Sequence, residues 1–369
     1  MRTEWVLAAG AVLLSLVAIE GMLRAVDALT SHDLSELPAD TATTPRHGSL
    51  ALGDIIRRAR SRDLAYELRP GVRGTFMDAA LKINSHGFRG PSVPEVPRDG
   101  AIRVVGIGDS MAFGWGVDDK DTFLMYLKRR FHRDYPNAPP LEIVNLAVPG
   151  YNTNQEVEAF LTKGLTYQPH LVVLYLCGND DQLPNFVWKR DPYTLRRSYL
   201  FDFLSERWAL LTAGTISSSL RHTSKVSDGR AMLRSIDPSR VPRFYRRMVG
   251  IDSVVRALAR LQSITHARGI PVIYAGWRSD LDDRIVPVAR SLGFTMVDGV
   301  PARTQRFLDA SGRTYQSLLV SPSDGHPNRE FHALIGAAIY EEAFLPWYRA
   351  RRAGDPGEDQ TAGRPDPGS

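Results

Sequence analysis

The segment IRVVGIGDSMAFGWGV, residues 102–117, decides the fold of this 369-residue chain. Four of its first six residues are apolar and β-branched, which predicts a strand buried on both faces. The glycines at 106 and 108 leave room for the chain to turn, and Ser110 follows at once. Ligands of open α/β sheets bind at the carboxyl ends of the strands, so this serine is placed for chemistry. A polar turn after a core strand is the alternative interpretation.

Three later segments also carry polar residues or glycine where a predicted element ends. Residues 145–152 (NLAVPGYN) run from a strand into a turn, and residues 171–181 (LVVLYLCGNDD) form a buried strand that ends in Gly-Asn-Asp. Residues 321–328 (SPSDGHPN) precede a helical segment. In chain order, the four segments supply a serine, a glycine, an asparagine and a histidine: Ser110, Gly150, Asn179 and His326.

This order of blocks resembles the SGNH (GDSL-type) hydrolase superfamily over roughly residues 102–345. The resemblance implies a flavodoxin-like three-layer α/β/α sandwich with a parallel sheet. It also implies that Ser110 is the nucleophile and His326 its base, since a serine hydroxyl needs a base within hydrogen-bond reach. By the same resemblance, the backbone N–H groups of Ser110 and Gly150 and the side chain of Asn179 form an oxyanion hole.

The histidine block departs from the usual pattern of the superfamily. An aspartate normally lies three residues before the histidine, but this chain has Ser323 there and Asp324 two residues before His326. An orienting carboxylate only has to reach the Nδ1–H group, so Asp324 is predicted as the third catalytic residue. A serine–histidine pair assisted by a backbone carbonyl is the alternative. We expect Asp109 and Asp180 to brace neighbouring loops through hydrogen bonds.

The sequence does not contain the complete motifs of nucleotide-binding folds or of α/β-hydrolases. Met111 replaces the last glycine of a G-x-G-x-x-G fingerprint, and Ala112 replaces the last glycine of a G-x-S-x-G elbow. No phosphate-binding loop and no His/Cys/Asp cluster with metal-ligand spacing occurs in the sequence. We therefore expect neither a metal nor an organic cofactor. The lone Cys177 permits no internal disulfide and is interpreted as a buried apolar residue of the third strand.

The N-terminus predicts a membrane helix. Residues 5–19 carry no charge, and the apolar stretch extends four residues further if Glu20 is included, about the length that spans a bilayer. An uncleaved signal-anchor is favoured over a cleavable signal peptide, because the small-residue site at 26–28 lies beyond Arg24. Arg2 precedes the stretch and acidic residues follow it, so we expect the catalytic body outside the cytoplasmic membrane, in the bacterial cell envelope or periplasm.

The pattern divides the chain into a membrane anchor or signal peptide (1–28), a linker and lead-in (29–100), a hydrolase domain (101–350) with an insertion at about 182–250, and a disordered tail (351–369). Alternating strands and helices in the hydrolase domain predict a parallel sheet covered on both faces. The 43% hydrophobic content is ample for one core. The net charge is +5, but no basic run with interleaved aromatics occurs, so no nucleic-acid partner is expected.

Within these parts, helix-like spacing predicts a helix over 55–68, and KINSHGFR at 82–89 predicts a strand and a glycine turn. The latter segment resembles the lead-in of membrane-anchored bacterial members of the superfamily. The insertion is either a cap over the serine or a surface subdomain. The predicted core strands are 102–108, 141–148, 170–177, 270–276 and 294–298, and the predicted helices are 121–134, 154–166, 251–268, 281–292 and 329–345.

These features favour a serine esterase or acyl hydrolase that acts through an acyl-enzyme on Ser110. The expected substrate is a small-molecule or glycan acyl ester, with an extracytoplasmic carbohydrate or envelope polymer as the first choice. An O-acyltransferase that moves the acyl group to an envelope glycan is the second interpretation. A non-catalytic binding module is the third, and it predicts loss of Ser110 or His326, both of which are present.

Overall fold

The computed structural model describes residues 2–30, 49–59, 61, 63–186, 198–201, 203–204, 220–227, 230–236, 245, 247–276 and 279–353. Most of the predicted linker, much of the insertion and the tail from residue 354 lie outside these described residues. The helices are α1 (Arg2–Thr30), α2 (Leu52–Ile55), α3 (Ser110–Phe113), α4 (Phe123–Asp134), α5 (Thr153–Thr162), α6 (Ile251–His266), α7 (Asp280–Ser291), α8 (Val300–Ser311), α9 (Arg329–Ile339) and α10 (Leu345–Ala353).

The strands before Ser110 are β1 (Ser49–Leu50), β2 (Ile56–Arg58), β3 (Tyr66–Leu68), β4 (Arg73–Phe76), β5 (Ala79–Lys82) and β6 (Ile102–Gly108). Those after it are β7 (Leu141–Asn145), β8 (Leu171–Leu176), β9 (Leu220–Ser227), β10 (Arg230–Ile236), β11 (Val272–Gly276), β12 (Thr295–Val297), β13 (Leu319–Ser321) and β14 (Asp324–Pro327). All five predicted core strands and all five predicted core helices are present, with ends that differ by a few residues.

The central sheet has five parallel strands in the order β12–β11–β8–β6–β7. Every residue of β6, β7 and β8 is buried, as expected for strands covered by helices on both faces. Side chains of β6 alternate between two cores: Val104 packs in the core that includes α4 and α9, and Val105 in the core that includes α5 and α6. The predicted three-layer α/β/α fold is therefore confirmed.

Part of the lead-in differs from the prediction. A helix over 55–68 is wrong, because β2 and β3 pair as an antiparallel hairpin there. Tertiary contacts override the helix-like spacing: the Tyr66 hydroxyl donates to the Pro149 carbonyl at 2.8 Å, and that contact holds β3 against the turn after β7. The strand and glycine turn predicted at 82–89 are present: β5 ends at Lys82, Ile83 and Arg89 form an antiparallel bridge, and Gly87 has φ +79° in the turn between them.

Two features near the C-terminus were also not predicted from the sequence. Helix α8 was not predicted, and it has only two buried residues, Val300 and Thr304, so its apolar periodicity is weak. The last predicted helix, 329–345, contains a π-helical turn at Tyr340–Phe344. The chain then continues beyond residue 345 as α10, which ends at Ala353. The first residues of the predicted disordered tail are therefore helical.

Helix α1 contains one stretch, Glu4–Val26, that is long and apolar enough to cross a bilayer. Its mean hydropathy is 2.2, and only 6% of the most apolar window is buried against the rest of the protein. A signal sequence near the N-terminus passes the same test of length and composition. The structure thus contains the apolar N-terminal helix that the sequence predicts.

A buried ion pair joins β6 to the edge strand β7 near the starts of these strands, at the opposite end from Ser110. Arg103 of β6 and Glu142 of β7 are cross-strand partners, and the guanidinium is fully buried. Its Nε donates to the Glu142 carboxylate at 3.1 Å, and its Nη1 donates to the carbonyls of Glu95 and Tyr167 at 2.6 and 2.7 Å. Removing this guanidinium leaves a buried carboxylate and two carbonyls without their donor.

We expect Arg103→Met to lower the free energy of unfolding by about 3–5 kcal/mol, because it breaks a buried pair from one side. Arg98→Met is the matched control, since Arg98 contacts the same Glu142 at 3.6 Å but is 69% exposed; its cost should stay below about 1 kcal/mol. Urea unfolding of the full chain in mild detergent measures both values. Equal stability of the two variants would contradict the prediction.

Candidate active site

Ser110 lies at the carboxyl end of β6 and is the first residue of α3. Asp109 caps this short helix, since its carboxylate accepts a hydrogen bond from the Met111 N–H at 2.9 Å. The N–H of Ser110 begins the helix and has no acceptor one turn earlier. The Ser110 side chain is partly exposed, with its Oγ 3.3 Å from Asp109 Oδ2.

His326 and Asp324 lie in β14 and approach Ser110 from a hairpin. The Nε2 of His326 is 2.8 Å from Ser110 Oγ, and its Nδ1 is 2.5 Å from Asp324 Oδ1. Asp324 Oδ1 also accepts the backbone N–H of His326 at 3.0 Å, a local turn typical of aspartate. This turn explains how a carboxylate only two residues before the histidine reaches its ring. Ser323 instead contacts Ser321 through its hydroxyl and is exposed.

Trp115, which was not predicted from the sequence as a site residue, contacts both Asp324 and His326. Its indole Nε1–H donates to Asp324 Oδ2 at 3.0 Å. Its ring stacks on the His326 imidazole with centroids 4.9 Å apart and planes inclined by 17°. Both oxygens of the Asp324 carboxylate are therefore engaged, and the imidazole is supported from one face as well as at Nδ1.

The hydrogen bonds to Asp324 determine its ionisation. Burial alone favours the protonated acid, but the hydrogen bonds and charge of His326 and the indole N–H of Trp115 outweigh it and lower the pKa of Asp324 below its usual value. The carboxylate is therefore ionised at neutral pH. An ionised Asp324 stabilises the imidazolium that forms when His326 takes a proton.

Gly150 is held in a fixed orientation at the end of the turn after β7. The turn is joined to the serine strand by the Val148 N–H, which donates to the Gly108 carbonyl at 3.2 Å. The Tyr66 hydroxyl holds the Pro149 carbonyl, and because a trans peptide is planar, the Gly150 N–H points the opposite way. Gly150 has φ +74°, and a Cβ there would lie 2.2 Å from the side chain of Asn185, so only glycine fits.

Asn179 and Ser110 both interact with the carboxylate of Asp109. The side-chain amide of Asn179 interacts with the Asp109 carboxylate and opposes the rise in pKa that burial causes there, and Asp109 Oδ2 lies 3.3 Å from Ser110 Oγ. The amide has two N–H groups, so this contact orients the side chain and leaves a second donor. The structure thus brings Ser110, Asn179 and Asp109 into one cluster.

Asp180 lies deeper, among buried acids that include a residue the sequence analysis missed. Its Oδ2 accepts the N–H of Cys177, one residue beyond β8, at 2.9 Å. Asp109, Asp180 and Glu156 are at most 1% exposed. Burial raises the pKa of all three, and the charges of Asp109 and Asp180 raise that of Glu156 further. Neither carboxyl oxygen of Glu156 has a hydrogen-bond partner among the described residues.

Arg89 of the lead-in fixes the loop that carries Trp115. Only 5% of Arg89 is exposed, and its guanidinium donates to the Asp119 carboxylate at 2.7 Å and to three carbonyl oxygens of the loop. These belong to Phe113, Gly114 and Val117. The loop can approach this closely because Gly114 has φ +91° and no side chain; a Cβ there would lie 2.9 Å from the guanidinium.

Hydrogen bonds link a serine to a histidine and that histidine to an aspartate, at the carboxyl end of a parallel strand. This arrangement is typical of hydrolases with a serine nucleophile. Residues 107–334 match the GDSL-like lipase/acylhydrolase family, which is more than half of the chain, and the chain belongs to this family. It is an ester-hydrolysing enzyme. The predicted resemblance to SGNH (GDSL-type) hydrolases is confirmed.

Solved structures of such enzymes are similar to this chain at low identity. A psychrotrophic esterase from Pseudoalteromonas sp. is 12% identical, with 67% of this chain and 98% of that chain covered and a TM-score of 0.38. A lipase/acylhydrolase from Enterococcus faecalis is 13% identical (65% and 94% covered, TM-score 0.37). A variant of an acetyl xylan esterase from Geobacillus stearothermophilus is 15% identical (68% and 96% covered, TM-score 0.37). No curated protein matches the chain.

We expect Trp115→Phe to lower kcat for ester cleavage about tenfold with little change in KM. Phenylalanine keeps a ring against His326 but removes the N–H that holds the Asp324 carboxylate, a hydrogen bond to a charged group. Trp347→Phe is the control, because Trp347 contacts Phe344 on the last helices, away from the hairpin. Steady-state kinetics on a chromogenic ester measures the effect, and a Trp115 variant as fast as the control would contradict it.

Glu156→Gln should flatten the dependence of thermal stability on pH. A carboxyl whose pKa is raised on folding contributes stability below its unfolded pKa, about 4.3, and this contribution is lost as the pH rises toward the folded value. We therefore expect the variant to match wild type near pH 4 and to have the higher Tm near pH 8. The exposed Glu95→Gln serves as control. Parallel Tm curves for wild type and the Glu156 variant would show that Glu156 does not titrate in this way.

Proposed function

We propose that this chain is a membrane-tethered serine esterase that hydrolyses acyl esters of extracytoplasmic carbohydrates or cell-envelope polymers. The observation that carries the catalytic part is the continuous contact from Ser110 Oγ through His326 to Asp324, at 2.8 and 2.5 Å. A weak hydroxyl nucleophile, a base at its oxygen and a carboxylate behind the base are the groups that acyl transfer requires.

The reaction proceeds in two steps. Ser110 Oγ attacks the acyl carbonyl carbon while its proton moves to His326 Nε2, and the tetrahedral intermediate then releases the alcohol, which takes that proton. A water molecule next gives a proton to His326 and attacks the acyl-enzyme. The ester bond to Ser110 breaks, the free acid leaves, and the proton on His326 returns to Ser110 Oγ.

Three donors stabilise the oxyanion of the tetrahedral intermediate in this proposal: the N–H groups of Ser110 and Gly150 and the amide of Asn179. The fixed Pro149–Gly150 peptide and the Asn179 contact with Asp109 support the assignment, because donors that are oriented in advance need no reorganisation during the reaction. Asp324 and Trp115 hold the imidazole in the tautomer that leaves Nε2 free to accept a proton.

The location rests on α1. The apolar stretch Glu4–Val26 has the length of a membrane span, and Arg2 before it and Asp27 after it favour a cytoplasmic N-terminus with the catalytic body outside. In sealed cells, external protease should therefore cleave the body, and the full-length protein should resist extraction from membranes by carbonate. A freely soluble mature protein that begins after the span would instead indicate a cleaved signal peptide.

Ser110→Ala should abolish labelling by a fluorophosphonate and lower ester cleavage by about a thousandfold or more, because the variant lacks the nucleophile. Ser323→Ala is the matched control, since this serine is exposed in the turn before β14 and its hydroxyl hydrogen-bonds to that of Ser321. Gel fluorescence after labelling and a chromogenic acetyl ester assay provide the two measurements. Labelling of the Ser110 variant at the wild-type level would exclude Ser110 as the nucleophile.

Product analysis tests the hydrolase assignment itself. The enzyme is incubated with acyl esters of increasing chain length, with and without a sugar acceptor in excess. Release of the free acid in both cases is the expected result. Transfer of most of the acyl group to the sugar hydroxyl would replace the esterase proposal by an O-acyltransferase.

A further inference from the structure

Glu20, the acidic residue near the outer end of the apolar stretch, binds the insertion. Its carboxylate accepts hydrogen bonds from the hydroxyl of Ser198 at 3.0 Å and from the backbone N–H groups of Tyr199 and Leu200 at 2.9 and 2.7 Å. Residues 199–201 and 203–204 are helical, so these are the N–H groups that a helix leaves without partners at its start. Glu20 therefore caps a helical segment that lies far away in the sequence.

The contact extends over one face of α1. Arg24 pairs with Glu20 at 2.5 Å and lies over the Tyr199 ring, 4.8 Å from its centroid. Tyr199 is 2% exposed, and Leu23 of α1 is 8% exposed. A carboxylate in a hydrocarbon environment is costly unless it is paired, and here the insertion and Arg24 supply all of its partners that the structure records.

The position of Glu20 sets the depth of this contact. The stretch Glu4–Val26 is about 34 Å long at 1.5 Å per residue, slightly more than the roughly 30 Å hydrocarbon core. Glu20 precedes the end of the stretch by about 9 Å, which places it about 7 Å inside the boundary between acyl chains and headgroups when the stretch is centred in the bilayer. The backbone of Tyr199 and Leu200 must lie at the same depth, because it donates directly to Glu20.

The same segment exposes two large apolar side chains. Phe201 is 69% exposed and Leu204 is 58% exposed, and their spacing of three residues puts them on one side of a helix. Among the described residues, every large hydrophobic side chain that is exposed lies in α1 or in this segment, except Val96. Exposed apolar surface is thus concentrated where the chain would meet lipid.

We propose that residues 198–201 and 203–204 belong to a membrane-docking element that Glu20 caps and that inserts Phe201 and Leu204 into the leaflet at the C-terminal end of α1. The partner is the acyl–headgroup boundary of a phospholipid bilayer, the depth at which short amphipathic helices bind. This inference rests on the proposed anchoring of α1. Since the insertion leaves the catalytic domain just after Asn179, docking holds the entrance of the site close to the membrane surface.

A fluorescent probe at position 201 tests the depth. The full chain carrying Cys177→Ala and Phe201→Cys is labelled with a polarity-sensitive fluorophore and reconstituted into vesicles of phosphatidylcholine and phosphatidylglycerol. We expect a blue-shifted emission that nitroxide-labelled lipids quench several-fold more than they quench the same probe at Val96→Cys. Position 96 is the matched control, because Val96 is 64% exposed and lies outside both segments.

Glu20→Leu tests the cap. Leucine keeps α1 apolar but removes the acceptor of the three hydrogen bonds, so the protein should still float with the vesicles while the probe at position 201 loses its extra quenching. Quenching at 201 that equals the control in floating wild-type protein, or that persists in the Glu20 variant, overturns the docking proposal and leaves the anchor intact. Wild-type protein that does not float with vesicles overturns the anchor, and the docking element with it.

Discussion

The buried guanidinium of Arg89 is the interaction on which the site depends. Without it, three backbone carbonyls of the loop after α3 would lie in the interior without the donor that they now share. Burial lowers the pKa of Arg89, but the adjacent Asp119 opposes this, and a guanidinium remains charged. The loop it holds carries Trp115, and Trp115 in turn positions Asp324 and His326. One side chain of the lead-in, Arg89, therefore supports the hairpin that carries Asp324 and His326 by holding the loop of Trp115.

The sheet and the position of Ser110 follow from local sequence. Short continuous runs of β-branched and apolar residues are typical of strands buried on both faces, and parallel strands bring their carboxyl ends to one edge. The turn at that edge was thus predictable from β6 alone. The contact of Asp324 with His326 was harder to predict. A carboxylate only two residues away reaches the ring because of a local turn, in which one carboxylate oxygen binds both the ring and the backbone N–H of His326.

Contacts between distant segments were not predictable. Tyr66 gave a helix-like pattern with its neighbours, yet its hydroxyl binds the Pro149 carbonyl, and this tertiary contact favours a hairpin. Glu156 looked like an ordinary polar residue of an amphipathic helix, whereas α5 turns it into the interior beside two other acids. Both cases depend on which surface covers the residue, and periodicity along one element does not contain that information.

The lead-in changes what counts as the smallest catalytic unit. The family match begins at residue 107, but the Tyr66 hydroxyl orients the peptide before Gly150 and Arg89 holds the loop of Trp115. A fragment cut at the family boundary would keep the serine, glycine, asparagine and histidine of the four blocks and lose the parts that orient two of them. Gene fusions or transplants of this enzyme should therefore carry residues 49–100 along with the hydrolase fold, as one inseparable module.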